Sequence, residues 1–269
     1  LRSRLRRYLA KAGCWVAASW PGFWATFETE HDRNQVVSAF GTPRERTIVI
    51  QGTGLDLNAF VADDKVFEEP LSLLLAGRLL RSKGVSAFVE AASLPGASRF
   101  RLRIAGWRYE SPDALSEKEI EDLLCAPNVE FMGAVSDMPA LLGETHAVVM
   151  PSTYPEGIPR ILIEAAASST PMIVTDFPGA RELVQDGVTG FILEDASGQA
   201  ILAAAERLAN LLDHGRAMGA RARRSVHTRG FDAESVQKSF LDVYEAALRD
   251  DPLSRSRVSA DERDPLPRA

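Results

Sequence analysis

The sequence predicts an α/β fold built on a doubly wound parallel sheet. Short apolar runs that end at turn residues recur along the chain, and Ala147–Met150, which stops at Pro151, is the clearest of them. Such runs are typical of parallel strands that are buried on both faces. A stretch with helical spacing follows each run, so right-handed strand–helix–strand crossovers are the expected connections.

Composition limits the classes of function. The 269 residues are 45% hydrophobic and 25% charged, which fits a globular protein of one large or two smaller domains. The net charge of −6 argues against a nucleic-acid partner. Cys14 and Cys125 are the only cysteines, so a disulfide framework or a zinc site is not expected, and a reducing cytoplasm is the expected compartment. Leu1 is not an initiator methionine, which indicates a processed or incomplete chain.

Residues 1–12 predict a basic helix. Arginines and a lysine stand there among leucines, at Arg2, Arg4, Arg6, Arg7 and Lys11. Contact with an anionic membrane surface is one interpretation, since each basic residue near such a surface contributes about 1 kcal/mol. The leucines form only a narrow apolar stripe, which favours a solvated helix face. Both interpretations stay open.

Three of the four tryptophans lie in the next segment, at Trp15, Trp20 and Trp24. The pattern predicts a short buried strand over 14–19 and a helix over 21–40. The aromatic cluster is either a contact surface for an acceptor or lipid, or core surface that lacks its neighbour.

A strand over 46–50 is followed by Gly52 and Gly54. A Gly-x-Gly after a strand invites a dinucleotide-binding interpretation, but the third glycine of that fingerprint would fall at Leu57. A nicotinamide-dependent oxidoreductase is therefore disfavoured.

The second domain is predicted to begin at residue 65 and to alternate strands with helices. The predicted strands cover 71–76, 99–105, 128–132, 147–150, 171–175 and 190–193. The predicted helices cover 85–92, 115–124, a stretch from residue 159, two helices within 198–228, and a last helix over 233–248. Prolines in a charged context predict a disordered tail over 251–269.

Two glutamates flank the turn after the central strand. Pro159 suits the first turn of a helix, which places Glu156 on the preceding loop and Glu164 inside the helix. Ligands of open α/β sheets bind at this edge. A carboxylate can accept hydrogen bonds from two neighbouring sugar hydroxyls, and the N–H groups of Gly157 and Ile158 would favour a phosphate. Two solvated glutamates on a surface helix would show the same spacing.

Two cations follow the strand over 71–76. Arg78 and Lys83 lie in the loop before Gly84, where the next helix begins. A planar guanidinium fork and a mobile ammonium suit a diphosphate. A loop with exposed basic residues is the alternative, and the glutamate pair at the same edge of the sheet argues against it.

Together these motifs resemble the carboxyl-terminal domain of retaining, family-four type glycosyltransferases with the Rossmann-like GT-B fold. The shared pattern is a strand that ends in Gly-Arg, then Lys-Gly, then Glu156, seven residues and Glu164. The resemblance covers about residues 36–248. The insert over 157–160 and the region 116–120 look most like the branch that acts on undecaprenyl-diphosphate-linked acceptors.

The resemblance implies transfer of a hexose or N-acetylhexosamine from a nucleotide diphosphate sugar, with UDP as the first candidate. The anomeric configuration would be retained, and the acceptor would be a glycan or a polyprenyl-diphosphate-linked sugar. No metal or cofactor is implied, and the site would lie in the cytoplasm or at the inner face of the membrane. Arg78 and Lys83 would neutralise the leaving diphosphate, Glu156 would bind sugar hydroxyls and Glu164 the ribose. The other implied donor contacts are Gly54, Val135, Gly157, Ile158, Pro159 and Arg160.

The resemblance also implies a division into domains. Residues 1–64 would be the tail of an acceptor-side domain, 65–231 the donor-binding domain, and 232–250 a closing helix that packs back on the first part. The chain alone is then expected to bind donor and to transfer sugar weakly or not at all. A non-catalytic nucleotide-sugar-binding module is the main alternative. A nucleotide-sugar epimerase of similar shape would lack the Lys-Gly and paired-glutamate arrangement.

Overall fold

The computed structural model describes residues 2–20, 22–60, 65–123, 125, 128–210 and 212–250. The chain divides into two compact units, Leu1–Gln51 with Glu234–Ala269, and Gly52–Ala233. The predicted tail over 251–269 lies outside the described residues.

The units divide at residue 51, whereas the sequence predicted a domain boundary at residue 64. Leu55 explains the difference. Its N–H donates to the carbonyl of Phe231 at 3.1 Å, and its own carbonyl accepts from Ala233 N–H at 3.0 Å. Leu57 and Phe60 are buried in the same core as Phe231. The segment from residue 52 therefore packs with the larger unit.

The smaller unit begins with helix α1 (Arg2–Ala18), strand β1 (Ala25–Phe27), helix α2 (Glu30–Phe40) and strand β2 (Thr47–Val49). The two strands pair in parallel. Thr29 begins α2, because its hydroxyl oxygen accepts the N–H of Asp32 at 3.0 Å.

Two predictions for this segment are wrong. The apolar run over 14–19 is not a strand; it continues α1 as far as Ala18, and Ser19 N–H still donates to the carbonyl of Trp15 at 3.0 Å. The predicted helix over 21–40 begins only at Glu30, after β1. A short apolar run looks alike in a strand and in a helix, and length alone did not separate them.

The larger unit has the predicted doubly wound parallel sheet. The described residues of this unit form six strands in the order β5-β4-β3-β6-β7-β8, and all neighbouring pairs are parallel. The strands are β3 (Leu71–Arg78), β4 (Phe100–Trp107), β5 (Val129–Gly133), β6 (Ala147–Met150), β7 (Met172–Thr175) and β8 (Gly190–Leu193).

Helices connect these strands and cover both faces of the sheet. They are α3 (Val85–Ala92), α4 (Glu117–Leu123), α5 (Met138–Gly143), α6 (Arg160–Ala167), α7 (Pro178–Arg181), α8 (Gly198–Ala209) and α9 (Leu212–Thr228). The last helix, α10 (Ala233–Asp250), follows α9. In the smaller unit its Val236 and Val243 are buried with Ile50.

The core of the larger unit has two layers, one on each face of the sheet. Leu73 and Leu75 of β3 pack with Phe88 of α3 and Ile201 of α8. Leu74, which lies between them, joins the opposite layer with residues of α5, α6 and α9. Side chains of one strand alternate between faces, so burial on both faces requires the continuous apolar runs that the sequence shows.

Candidate functional site

A cavity of about 430 Å³ lies at the carboxyl ends of β3, β4 and β6 in the larger unit. This edge is where open parallel sheets bind ligands. The cavity is lined by Ala76, Gly77, Arg78, Lys83, Ala105, Gly106, Trp107, Val135, Met138, Met150, Glu156, Pro159, Arg160, Ile161 and Glu164. The structure therefore brings together seven residues that were singled out from the sequence: Arg78, Lys83, Val135, Glu156, Pro159, Arg160 and Glu164.

Two neighbouring strands, β3 and β4, end at the cavity. β3 ends in Gly77 and Arg78, β4 ends in Gly106 and Trp107, and the pairs stand opposite one another in register. A side chain at Gly106 would place its Cβ 1.8 Å from the carbonyl oxygen of Gly77. The two glycines therefore allow the strand ends to approach, and they leave Arg78 and Trp107 side by side.

Lys83 is held in place by the turn between β3 and α3. Gly84, at the start of α3, has a φ of 74°, which favours glycine. A Cβ there would lie 2.3 Å from the carbonyl oxygen of Pro151, the first residue after β6. This close approach brings Lys83 next to the loop that carries Glu156.

Both carboxylate oxygens of Glu156 are hydrogen-bonded. Lys83 Nζ donates to Oε2, and Ser152 Oγ donates to Oε1 at 3.0 Å. The side chains of Lys83 and Glu156 are only 16% and 15% exposed, so water screens their attraction less than that of a surface pair. The arrangement holds a cation and a carboxylate in fixed positions at the cavity wall.

The carbonyl oxygen of Ser82 connects the turn that carries Lys83 to the loop that carries Glu156. It accepts the N–H of Thr153 at 2.9 Å and lies 3.1 Å from Ser152 Oγ. From the other side, Thr175 Oγ1 of β7 donates to the carbonyl of Ser152 at 2.6 Å. Ser152 is buried, and of the three acceptors near its hydroxyl Glu156 Oε1 lies nearest, at 3.0 Å, while the carbonyl oxygens of Ser82 and Tyr154 lie at 3.1 Å.

The segment between β4 and α4, together with the first turn of α4, contacts the turn over Arg81–Lys83. Ser82 N–H donates to Asp113 Oδ2 at 3.2 Å, and the Ser82 hydroxyl donates to the same oxygen, which lowers the pKa of Asp113. Arg81 donates to both oxygens of Glu119, at 2.7 and 2.6 Å. Hydrogen bonds from Ser116, then from Arg81, lower the pKa of Glu119 to about 2. Arg81 is therefore paired with Glu119 of α4, whereas Lys83 lines the cavity.

Glu164 lies in the second turn of α6 and is 7% exposed. Arg160 Nε donates to its Oε1 at 2.7 Å, while the Arg160 side chain is 63% exposed. Pro159 precedes the helix as its N-cap, one position before the predicted first turn. A buried carboxylate that faces a cavity and keeps one exposed cationic partner is suited to accept hydroxyl hydrogen bonds.

Three predicted contacts lie outside the cavity lining. Gly54 lies on the loop after β2, with a φ of 72°. Ile158 is buried in the core with Leu162. A Cβ at Gly179, at the start of α7, would lie 1.6 Å from the carbonyl oxygen of Gly157, so Gly157 packs against that helix. The ligand roles given to these residues, and to those in the cavity, remain predictions.

Sequence reasoning missed Trp107 and Ser152. Trp107 follows Gly106 as Arg78 follows Gly77, and the repeated Ala-Gly ending of two neighbouring strands was the available signal. Ser152 had no comparable signal, because its role depends on the approach of a loop seventy residues earlier.

Among the described residues, no group of three or more His, Cys, Asp or Glu could hold a metal ion. No helix in the same part of the chain is long and apolar enough to span a membrane.

Residues 59–225 match the family model described as glycosyl transferases group 1. The chain belongs to this family. The match spans more than half of the sequence and includes every residue that lines the cavity. The predicted resemblance is thereby confirmed at the level of the family.

Individual relatives agree with this membership. The chain is 26% identical over 221 residues to the capsular polysaccharide biosynthesis glycosyltransferase CapM of Staphylococcus aureus, covering 77% of this chain and 57% of CapM. It is 29% identical over 163 residues to the N,N'-diacetylbacillosaminyl-diphospho-undecaprenol alpha-1,3-N-acetylgalactosaminyltransferase of Campylobacter jejuni, covering 56% of this chain and 42% of that enzyme. The chain thus spans about half the length of these curated relatives.

The fold is also found in solved structures. Anabaena Alr3699/HepE in complex with UDP and glucose superposes with a TM-score of 0.70 at 21% identity, covering 82% of this chain and 62% of HepE. This likeness confirms the predicted GT-B type of Rossmann-like fold.

Proposed function

We propose that this chain is the donor-binding part of a retaining glycosyltransferase. It would take a hexose or N-acetylhexosamine from a nucleotide diphosphate sugar, with UDP as the first candidate, to a glycan or polyprenyl-diphosphate-linked acceptor in polysaccharide or glycan biosynthesis. One observation carries the proposal: a single cavity brings together Arg78, Lys83, Glu156 and Glu164. The capsular and undecaprenol-linked relatives support the acceptor class, and the UDP complex of HepE supports the nucleotide.

In the proposed reaction the bond between the anomeric carbon and the diphosphate oxygen breaks. A new bond forms from the acceptor oxygen to the same face of the sugar, and the acceptor proton passes to the leaving phosphate. Negative charge grows on the diphosphate as it departs. Arg78 and Lys83 stabilise that charge without having to move, which is how preorganised groups lower a barrier.

Glu156 suits the binding of donor hydroxyls better than nucleophilic attack. Lys83 and Ser152 each hold one of its oxygens, and a carboxylate in two hydrogen bonds is a weakened nucleophile. Its remaining lone pairs can accept hydroxyl groups of the sugar. This supports attack by the acceptor on the face from which the diphosphate leaves.

A transfer assay tests the proposal. The chain is incubated with a radiolabelled UDP-N-acetylhexosamine and an undecaprenyl-diphosphate-linked sugar, and the anomeric coupling of the product is measured by NMR. The chain alone should bind the donor and transfer sugar weakly or not at all. An acceptor-side domain added in trans should raise transfer and give an α-linked product from the α-linked donor, undiminished by EDTA and abolished by Glu156→Gln. Glu117→Gln, which changes an 82% exposed glutamate outside the cavity, should leave transfer unchanged.

Three outcomes would decide against parts of the proposal. A β-linked product would contradict retention. Loss of transfer in EDTA would contradict a metal-independent reaction. Binding of the donor without transfer, also after an acceptor-side domain is added in trans, would favour the non-catalytic nucleotide-sugar-binding module.

We also infer peripheral contact of α1 with an anionic membrane surface. Tyr8 and Leu9 recur as Trp15 and Val16 seven positions later, and all four side chains are at least 60% exposed. The longer helix thus continues the apolar stripe beyond residues 1–12 on the same face, beside a basic sequence.

Vesicle sedimentation tests this membrane contact. The chain should sediment with vesicles in which about one third of the lipid is anionic, and it should remain in solution with purely zwitterionic vesicles. Trp15→Ser should weaken sedimentation several-fold. Equal sedimentation of both proteins, or none with anionic vesicles, would contradict the inference.

A further inference from the structure

The wall of the cavity is divided into a charged part and an aromatic part. Lys83 and Glu156 belong to the side of β3 and β6, near the centre of the sheet. Trp107 ends β4, and Val135 and Met138 follow β5, the edge strand beside it. Arg78, the register partner of Trp107, ends the strand between them. A ligand that lies across the cavity therefore meets the Lys83–Glu156 pair at one end and an apolar wall with a π-face at the other.

Trp107 is 55% exposed although it lines the cavity. A large aromatic side chain exposed in a concave site is available to a ligand, since burying it there would release water from its surface. Its register partner on β3 is Arg78, whose guanidinium lies 5.1 Å from the centre of the Tyr109 ring. This cation–π contact fixes the position of Arg78 at the cavity wall.

We propose that Trp107 is the stacking surface for the base of the nucleoside diphosphate. The inference rests on the proposed function, because it assigns one part of the donor to one wall of the same cavity. A nucleoside diphosphate likewise has a flat base at one end and an anionic diphosphate at the other, with the ribose between them. Glu164, proposed to bind the ribose, lines the same cavity.

Stacking on an indole ring tolerates any base, because every base has a π-face. Trp107 would therefore add affinity for UDP, GDP and ADP alike. Choice among the bases would have to come from groups at the base edge, on the side of Val135.

The test combines calorimetry with tryptophan fluorescence on the full chain. UDP should quench the emission, and Trp107→Leu should remove that quenching and raise the Kd for UDP about tenfold. Trp107→Phe, which keeps a π-face, should lose less affinity. Inorganic pyrophosphate, which has no base, should bind wild type and Trp107→Leu equally. Trp20→Leu, at a tryptophan that is 70% exposed in the smaller unit, should leave the Kd and the quenching by UDP unchanged.

Each contrary result has a distinct meaning. Equal UDP affinity of wild type and Trp107→Leu overturns the inference and leaves the proposed function standing. An equal loss for UDP and pyrophosphate overturns it too, since the effect would then concern the diphosphate. Quenching by UDP-N-acetylglucosamine but not by UDP would assign the indole to the sugar instead. No binding of any nucleotide to wild type overturns both the inference and the proposed function.

Discussion

Replacing Glu164 by alanine is expected to weaken UDP binding about a hundredfold, because two charge-assisted hydrogen bonds to ribose hydroxyls would be lost. The carboxylate is 7% exposed and faces the cavity, so it is shielded from water on most sides. Arg160, its partner, is 63% exposed and can be solvated when the carboxylate is removed. The change should therefore reduce binding with little effect on folding. Calorimetric titration with UDP measures it.

Two controls separate ribose recognition from a general effect of charge. Pyrophosphate lacks the ribose and should bind Glu164→Ala and wild type with similar affinity. 2′-Deoxy-UDP should bind wild type more weakly than UDP, but the two should bind Glu164→Ala equally. If the affinities for pyrophosphate and for UDP fell by the same factor in Glu164→Ala, Glu164 would act through the shape of the site and not through the ribose.

Much of the larger unit was predictable from local pattern. Ala147–Met150 is buried along its whole length and lies in the middle of the sheet, so a continuous apolar run was the correct signal. Because carboxyl ends of parallel strands meet at one edge, residues that follow such runs were expected to converge. Arg78, Lys83, Glu156 and Glu164 do converge on one cavity.

The failures have two causes: a short apolar run looks alike in a strand and in a helix, and some features depend on partners far away in the sequence. The run over 14–19 has the composition of a strand, yet it continues the helix that the residues before it form. The domain boundary was predicted at residue 64, but Leu55 pairs with Phe231 and draws the segment from residue 52 into the larger unit. Trp107 falls beyond the predicted strand over 99–105, and β4 continues to it in register with Arg78, where it lines the cavity.

The second large effect is expected at Lys83. Lys83→Met removes a cation that is 16% exposed and leaves Glu156, 15% exposed, without its ionic partner. Losing the contact between a mostly buried ammonium and the diphosphate costs about 2–4 kcal/mol of binding free energy, which is about 30-fold to 1000-fold in affinity. We expect such a loss for UDP and for pyrophosphate in calorimetric titrations, because both present the diphosphate. Arg81→Met is the matched control: Arg81 lies on the same turn but pairs with Glu119 outside the cavity, so its loss should change UDP affinity little.

The loss at Lys83 has two physical sources that a double substitution separates. One is the missing attraction between the ammonium and the diphosphate. The other is repulsion between the diphosphate and the unpaired carboxylate of Glu156, which Ser152 alone would then hold. Adding Glu156→Gln to Lys83→Met removes the repulsion but not the missing attraction, so UDP affinity should recover in part. Full recovery would mean that Lys83 serves only to neutralise Glu156. Equal affinity of Lys83→Met and Arg81→Met would show that Lys83 does not contact the diphosphate.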